Sequence, residues 1–297
     1  MSPGPLPSGM DGTGVALVTP FGPDGSLRED DLRSVADRVA EHVDFVVPCG
    51  STGEAPLLTD EEAARVVRAV ADEVDVPVVA GTGGPGFDGT LDRTVRAAEA
   101  GADAALVVTP YYYGHDQRTL SAYYRDLADE SPLPVYLYSI PTYTGVALSP
   151  ETVGALSTHP NVAGIKDSSG DLERAHRYVE RTTDADFSVL VGSGSIYAAA
   201  LDGGADGAIL AMANLVPGLA SEVYRRHRED PAAARALNAD LVELNHAVTA
   251  RYGVPGLKAA MEHRGMPAGH PRRPFRPVGD DVRRELATMV DGVLDRD

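Results

Sequence analysis

Eight short apolar runs, separated by longer helix-like segments and followed by a helical remainder, predict an α/β fold: a (β/α)8 TIM barrel with a C-terminal helical extension. The runs lie at residues 15–18, 45–47, 78–80, 104–108, 135–138, 162–165, 189–191 and 208–210. Each is too short for a helix and is continuous rather than alternating, as suits a strand covered on both faces. The segments between them carry helix signals. Thr59-Asp60-Glu61-Glu62 reads as a capping box, in which side chains and backbone of the first turn satisfy each other. Ser149-Pro150-Glu151 reads as a helix start, with proline where its missing N–H costs nothing. Eight strand–helix units fill residues 1–213; a length of 297 residues accommodates such a barrel as one domain. From about residue 215 to 293 the pattern is helical, with a Pro/Arg-rich break at 271–277. No linker sets it apart, so residues 214–297 are expected to pack on the barrel.

An apolar fraction of 43% supports an ordinary globular core. Lys+Arg 26 against Asp+Glu 44 gives a formal charge of -18, which opposes nucleic acid and anionic membranes as partners. Acid excess also suggests a salt-rich cytoplasm, where screening relieves self-repulsion; GC-rich codon bias explains the scarcity of lysine but not the charge. One cysteine, Cys49, excludes an internal disulfide and any multi-cysteine metal site. Residues 1–10 have neither a basic start nor an apolar core, and no apolar stretch approaches spanning length, so a cytoplasmic location is expected.

Only two lysines occur, Lys166 and Lys258. Lys166 follows the sixth apolar run, at the end of the barrel where such folds place their chemistry. Unlike arginine, a desolvated lysine can lose its proton and attack a carbonyl to form a Schiff base. That chemistry also needs a carboxylate anchor and a proton shuttle. The loop at 50–53, Gly-Ser-Thr-Gly, offers backbone N–H groups and the hydroxyls of Ser51 and Thr52; Tyr138 and Tyr112 offer phenols. Singly, a Gly-Ser-Thr-Gly run is a turn and a strand-end tyrosine is core with its hydroxyl at the rim. Their significance lies in sharing one face of the inferred barrel. Lys258, at an expected helix start in the extension and away from any strand end, reads as structural.

These residues sit in the motifs G-S-T-G-E at 50–54, T-P-Y-Y at 109–112, L-Y-S-I-P at 137–141 and G-I-K-D at 164–167. In order and spacing, over nearly the whole chain, they resemble the pyruvate-dependent Schiff-base lyases that include dihydrodipicolinate synthase and N-acetylneuraminate lyase. The resemblance implies that Lys166 forms an imine with pyruvate or a 2-keto acid and that Tyr138 relays protons. Ser51 and Thr52, flanked by Gly50 and Gly53, would hold the substrate carboxylate, and Gly192 and Ile209 would line the pocket. Tyr112, with Tyr111 as the competing choice, would reach a neighbouring subunit's site in a homotetramer, a dimer of dimers. Pyruvate and an aldehyde are the implied partners. No cofactor and no metal is implied, and the eight histidines show no ligand spacing.

Within that resemblance the synthases carry an arginine where this chain has Tyr143, which removes a charge-assisted contact to a carboxylated aldehyde. Together with Ser168, at a substrate-hydroxyl position of the aldolase branches, this points to 2-keto-3-deoxygluconate or 4-hydroxy-2-oxoglutarate aldolase as the nearer branches. Dihydrodipicolinate synthase, a keto-deoxy sugar acid dehydratase and a keto-acid-binding regulatory protein are the alternatives. Gly81-Thr82-Gly83-Gly84-Pro85-Gly86 fits G-x-G-x-x-G, but Asp103 precedes a strand where a dinucleotide site needs an acid ending one, so the glycines read as a barrel loop. Arg272-Arg273, between prolines in an acidic chain, reads as a packing segment.

Overall fold

The computed structural model describes residues 10–295. Residues 1–9, which carry most of the expectation about a leader, lie outside the described residues. Eight parallel strands, β1 (Gly12–Ala16), β2 (Phe45–Val47), β3 (Val79–Gly81), β4 (Ala104–Val108), β5 (Val135–Ser139), β6 (Val162–Asp167), β7 (Ser188–Val191) and β8 (Gly207–Leu210), form one sheet in the order β2-β1-β8-β7-β6-β5-β4-β3. Its two edges meet: Val46 bridges Val78 in parallel, Val46 N–H donates to Pro77 O at 2.9 Å and Gly81 N–H to Pro48 O at 2.9 Å. The sheet is therefore a barrel, joined between β2 and β3 by a single bridge and elsewhere by ladders.

Helices cover it in sequence: α1 (Glu29–Ala40), α2 (Asp60–Ala71), α3 (Phe87–Glu99), α4 (Gln117–Glu130), the short α5 (Pro141–Thr144), α6 (Pro150–Leu156), α7 (Leu172–Thr182), α8 (Tyr197–Asp202) and α9 (Pro217–Glu229). Beyond them α10 (Pro231–His246), α11 (Gly253–His263) and α12 (Asp280–Leu294) form a further layer, in which α10 packs on α8 and α9. Both expected starts are present. Glu62 N–H donates to Thr59 Oγ1 at 3.2 Å while Thr59 N–H donates to Glu62 Oε2 at 3.0 Å, and Thr152 N–H donates to Ser149 Oγ at 3.1 Å. No helix among the described residues is long and apolar enough to cross a membrane.

Period-two alternation divides the core in two. Val15, Val46, Val107, Leu137, Ile165 and Ala208 face the helices. Phe45, Leu106, Tyr136, Tyr138, Leu190 and Ile209 fill the barrel interior. Glycines make room for the interior aromatics: a Cβ on Gly14 would overlap the Phe45 ring, and one on Gly164 would lie 2.5 Å from a Tyr136 ring carbon. Fully burying an apolar side chain of this size is worth about 1.5–3 kcal/mol, so both layers contribute heavily to stability.

Most strand ends lie within one residue of expectation; β1 and β6 differ by more. β1 begins three residues early because Asp44 accepts from Thr13 N–H at 2.7 Å and Asp206 O accepts from Gly12 N–H at 3.0 Å, pairing a Gly-Thr-Gly stretch that lies outside the apolar run. At its other end Val18 N–H leaves the ladder for Asn214 Oδ1 at 3.1 Å, while Asn214 donates to Ala16 O at 2.7 Å. β6 runs through Lys166 to Asp167, so the lysine is part of the strand. The glycine run at 81–86 is a barrel loop. A Cβ on Gly81 would overlap the Cys49 carbonyl, and Asp103 binds Val78 N–H at 2.8 Å at a strand start.

Most ion pairs are exposed, such as Arg177–Glu151 at 3.1 Å, and screened pairs of this kind add little. A formal charge of -18 is left to repel itself. Raising KCl from about 0.05 to 1 M shortens the screening length from more than 10 Å to about 3 Å. The melting temperature is expected to rise by several degrees, roughly 3 °C for each kcal/mol regained. A flat or falling melting curve in differential scanning calorimetry would contradict this.

Candidate active site

Strand alternation turns Ile165 to the helices and Lys166 into the barrel. Lys166 is 5% exposed, and its Nζ lies 4.6 Å from the ring centroid of Tyr138, its register partner on β5. Among the described residues no carboxylate pairs with it, and desolvation pulls its pKa down to about 7. The amine is thus partly neutral at neutral pH, the state that nucleophilic attack requires.

Tyr138 is buried, and its hydroxyl oxygen lies 3.4 Å from Ser51 Oγ, a long contact in which either group can donate. Burial raises the phenol's pKa, partly offset by hydrogen bonding from Ser51 and Ser168. The phenol therefore stays protonated, able to give a proton and take one back. Ser168 N–H donates to Ser139 O at 2.8 Å, and Gly192 N–H to Asp167 O at 2.7 Å. A Cβ on Gly192 would overlap Ser168 Oγ and lie 3.1 Å from Lys166 Cε, so the missing side chain leaves room for the lysine stem and the serine hydroxyl together.

Beside them lies the 50–53 loop, with Ser51 and Thr52 half-buried and open space over Gly50. Its backbone is bracketed by two left-handed residues, Cys49 at φ 57° and Glu54 at φ 60°. Each costs a non-glycine residue roughly 1–2 kcal/mol, so the surroundings must over-determine the turn. They do: Glu54 N–H donates to Ser51 O at 3.1 Å, Ala55 N–H to Gly50 O at 3.2 Å and Thr19 Oγ1 to Gly53 O at 2.7 Å. Glu54 itself is buried and pairs with Lys258 at 2.6 Å.

The structure therefore gathers Lys166, Tyr138, Ser51, Ser168 and Gly192, with Gly50, Thr52 and Gly53 in the adjoining loop. Ile209 lies buried in the interior cluster. One expected residue stands apart: Tyr112 is 87% exposed at φ 83°, its ring edge-on to Tyr113 at 5.1 Å, and it forms no hydrogen bond to Tyr138 or Ser51 of its own chain. Tyr143, on α5, is 69% exposed, yet its phenol lies near enough to Tyr138 for partial burial and that neighbour to raise its pKa. Lys258 is corrected in part: it lies in α11, yet its Nζ donates to Thr19 O, just past β1, at 2.7 Å. Sequence reasoning missed its pairing with Glu54, for which the only signals are a glutamate closing the G-S-T-G-E motif and the rarity of lysine.

The two lysines are expected to separate by acylation at varied pH with peptide mass analysis. Lys166 reactivity should climb through pH 7, because the neutral amine dominates above its pKa, and then level off. Lys258, with its three protons engaged, should stay unmodified in the folded protein. Equal labelling of both, or a Lys166 midpoint near 10, would show that desolvation does not control the site.

Residues 10–292 match the model of the dihydrodipicolinate synthetase family. The chain is 38% identical over 282 residues to a 4-hydroxy-tetrahydrodipicolinate synthase of Methanothrix thermoacetophila, covering 94% of this chain and 96% of that one. It is 40% identical over 284 residues to an uncharacterized DapA-like lyase of Halobacterium salinarum, covering 94% and 93%. Among solved structures, a prophage protein of the dihydrodipicolinic acid synthase family from E. coli K12, in complex with pyruvate, superposes with a TM-score of 0.91 at 29% identity over 96% of this chain and 99% of that one. Fold, catalytic-face lysine and these likenesses agree: the chain belongs to the dihydrodipicolinate synthetase family of lysine-dependent carbon–carbon lyases.

Proposed function

We propose that Lys166 forms a Schiff base with pyruvate, and that the enamine made from it joins an aldehyde or is released from one. The observation that carries this reading is a buried, unpaired amine beside a phenol that is itself in contact with a serine hydroxyl. Backbone N–H groups at 50–53, with Ser51 and Thr52, receive the pyruvate carboxylate. Nζ attacks C2 to give a carbinolamine, and Tyr138 delivers the proton with which the C2 hydroxyl leaves as water. Loss of a proton from C3 gives the enamine, whose C3 attacks the aldehyde carbonyl while the new alkoxide takes a proton. Water then hydrolyses the imine and frees Lys166. In reverse, the C3–C4 bond of a 4-hydroxy-2-keto acid breaks and pyruvate is released.

Ser168, beside Lys166, is placed to meet a substrate hydroxyl, and Gly192 and Ile209 bound the pocket. Tyr112, exposed and unused by its own chain, suits a homotetramer in which it completes the relay of a neighbouring subunit, and the assembly is assigned to the cytoplasm. For the aldehyde, the names of several relatives support aspartate semialdehyde, the synthase reaction. Tyr143, at the position where synthases carry arginine, favours instead an uncharged aldehyde, as in cleavage of 2-keto-3-deoxygluconate; 4-hydroxy-2-oxoglutarate, which releases a carboxylated aldehyde, is less favoured by the same argument.

Borohydride with pyruvate is expected to add about 72 Da to the peptide holding Lys166. Lys166→Arg should abolish both the adduct and turnover, since guanidinium does not deprotonate. An active Lys166→Arg enzyme would end the imine proposal. Comparing kcat/KM for pyruvate plus aspartate semialdehyde with that for 2-keto-3-deoxygluconate cleavage decides the branch: a preference of about 100-fold, roughly 2.7 kcal/mol, is expected for one of them.

A further inference from the structure

Lys258 lies in the helical layer that follows the barrel, yet its ammonium is spent at the exit of the first two strands. It is 1% exposed and donates to Glu54 Oε1 at 2.6 Å, Thr19 O at 2.7 Å and His270 O at 2.9 Å. An ammonium has three protons, and all three are used. The other carboxylate oxygen of Glu54 accepts Arg272 N–H at 2.7 Å. The Arg272 side chain binds both oxygens of Glu62 on α2, each at 2.6 Å, and Leu57 O at 2.8 Å. Residues 258–272 thus fasten the chain at Glu54, Leu57 and Glu62, immediately after the 50–53 loop.

Neither Glu54 nor Lys258 contacts Lys166 or Tyr138, so the pair stands outside the proposed proton and imine chemistry. Nor is stability a sufficient reason for it, because a buried ion pair commonly contributes no more than apolar residues of the same volume. What it supplies is geometry. Glu54 is left-handed, follows directly on Gly53, and is tied by both carboxylate oxygens to groups from a distant part of the chain. Rotating Glu54 would rotate the loop's backbone amides with it.

We infer that the Glu54–Lys258 pair is a positioning element for the 50–53 loop, holding its backbone N–H groups in the orientation that receives the carboxylate of a 2-keto acid. The inference rests on the reading of that loop given under Proposed function. Its consequence is selective: losing the pair weakens capture of carboxylated ketones and leaves the reactivity of Lys166 towards other ketones unchanged.

The test measures the ketone concentration that gives half-maximal borohydride trapping on Lys166, for pyruvate and for hydroxyacetone, a methyl ketone without a carboxylate. In Glu54→Gln/Lys258→Met, which removes both buried charges together, the pyruvate value is expected to rise at least about tenfold, equivalent to about 1.4 kcal/mol, while the hydroxyacetone value changes by less than about twofold. Lys258→Arg keeps the buried charge opposite Glu54, but its planar fork does not match three oxygens that converge on one atom; a rise of about threefold for pyruvate alone is expected, and it carries the test if the double variant does not fold. An unchanged pyruvate value, or equal rises for both ketones, overturns the inference. Wild-type protein that traps neither ketone on Lys166 overturns the Schiff-base reading itself, whereas normal wild-type trapping with unaffected variants overturns only the positioning role.

Discussion

Desolvation inside a closed parallel barrel is the constraint on which the rest of this molecule depends. Because both faces of every strand are covered, an ion brought into the structure must find partners or lose its charge. The chain's two lysines take the two available routes. Lys258 is met by a carboxylate and two carbonyl oxygens and remains an ammonium, although burial still pulls its pKa down. Lys166 meets an aromatic ring and a glycine, and yields its proton near neutrality. The same residue type is thus a charged fastener in one place and a readily deprotonated amine in the other, through surroundings alone.

The Gly-Ser-Thr-Gly loop shows how such a site is held. Two left-handed residues bracket it, and Ser51 and Thr52 remain half-buried on the side that faces Tyr138. Support comes from behind: the Thr19 hydroxyl on Gly53 O, the Gly81 backbone against the Cys49 carbonyl, and the Glu54 anchor to the C-terminal layer. The helices beyond the barrel therefore take part in shaping its mouth.

Architecture was legible in the sequence because it rests on local patterns: short apolar runs, a capping box, a proline at a helix start. Lys166 and Tyr138 were legible because strand-end residues of a barrel converge on one face. β1 starts ahead of its apolar run, since Gly12 and Gly14 carry no apolar side chain and reveal their purpose only with Asp44 and the Phe45 ring in place. The Glu54–Lys258 contact joins residues 204 positions apart and leaves no periodic trace. Tyr112 marks another limit. A motif located it, but the structure leaves it exposed at a left-handed φ, with its ring against Tyr113.

The seam between β2 and β3 has a consequence for motion. Seven joints of the barrel are ladders, and this one is a bridge with a hydrogen bond on either side. A cylinder breathes along its thinnest joint, where fewest bonds must break for water to enter. That joint runs directly beneath Cys49 and Gly81, at the root of the 50–53 loop. The backbone that closes the barrel at this joint is therefore the same backbone from which the 50–53 loop departs.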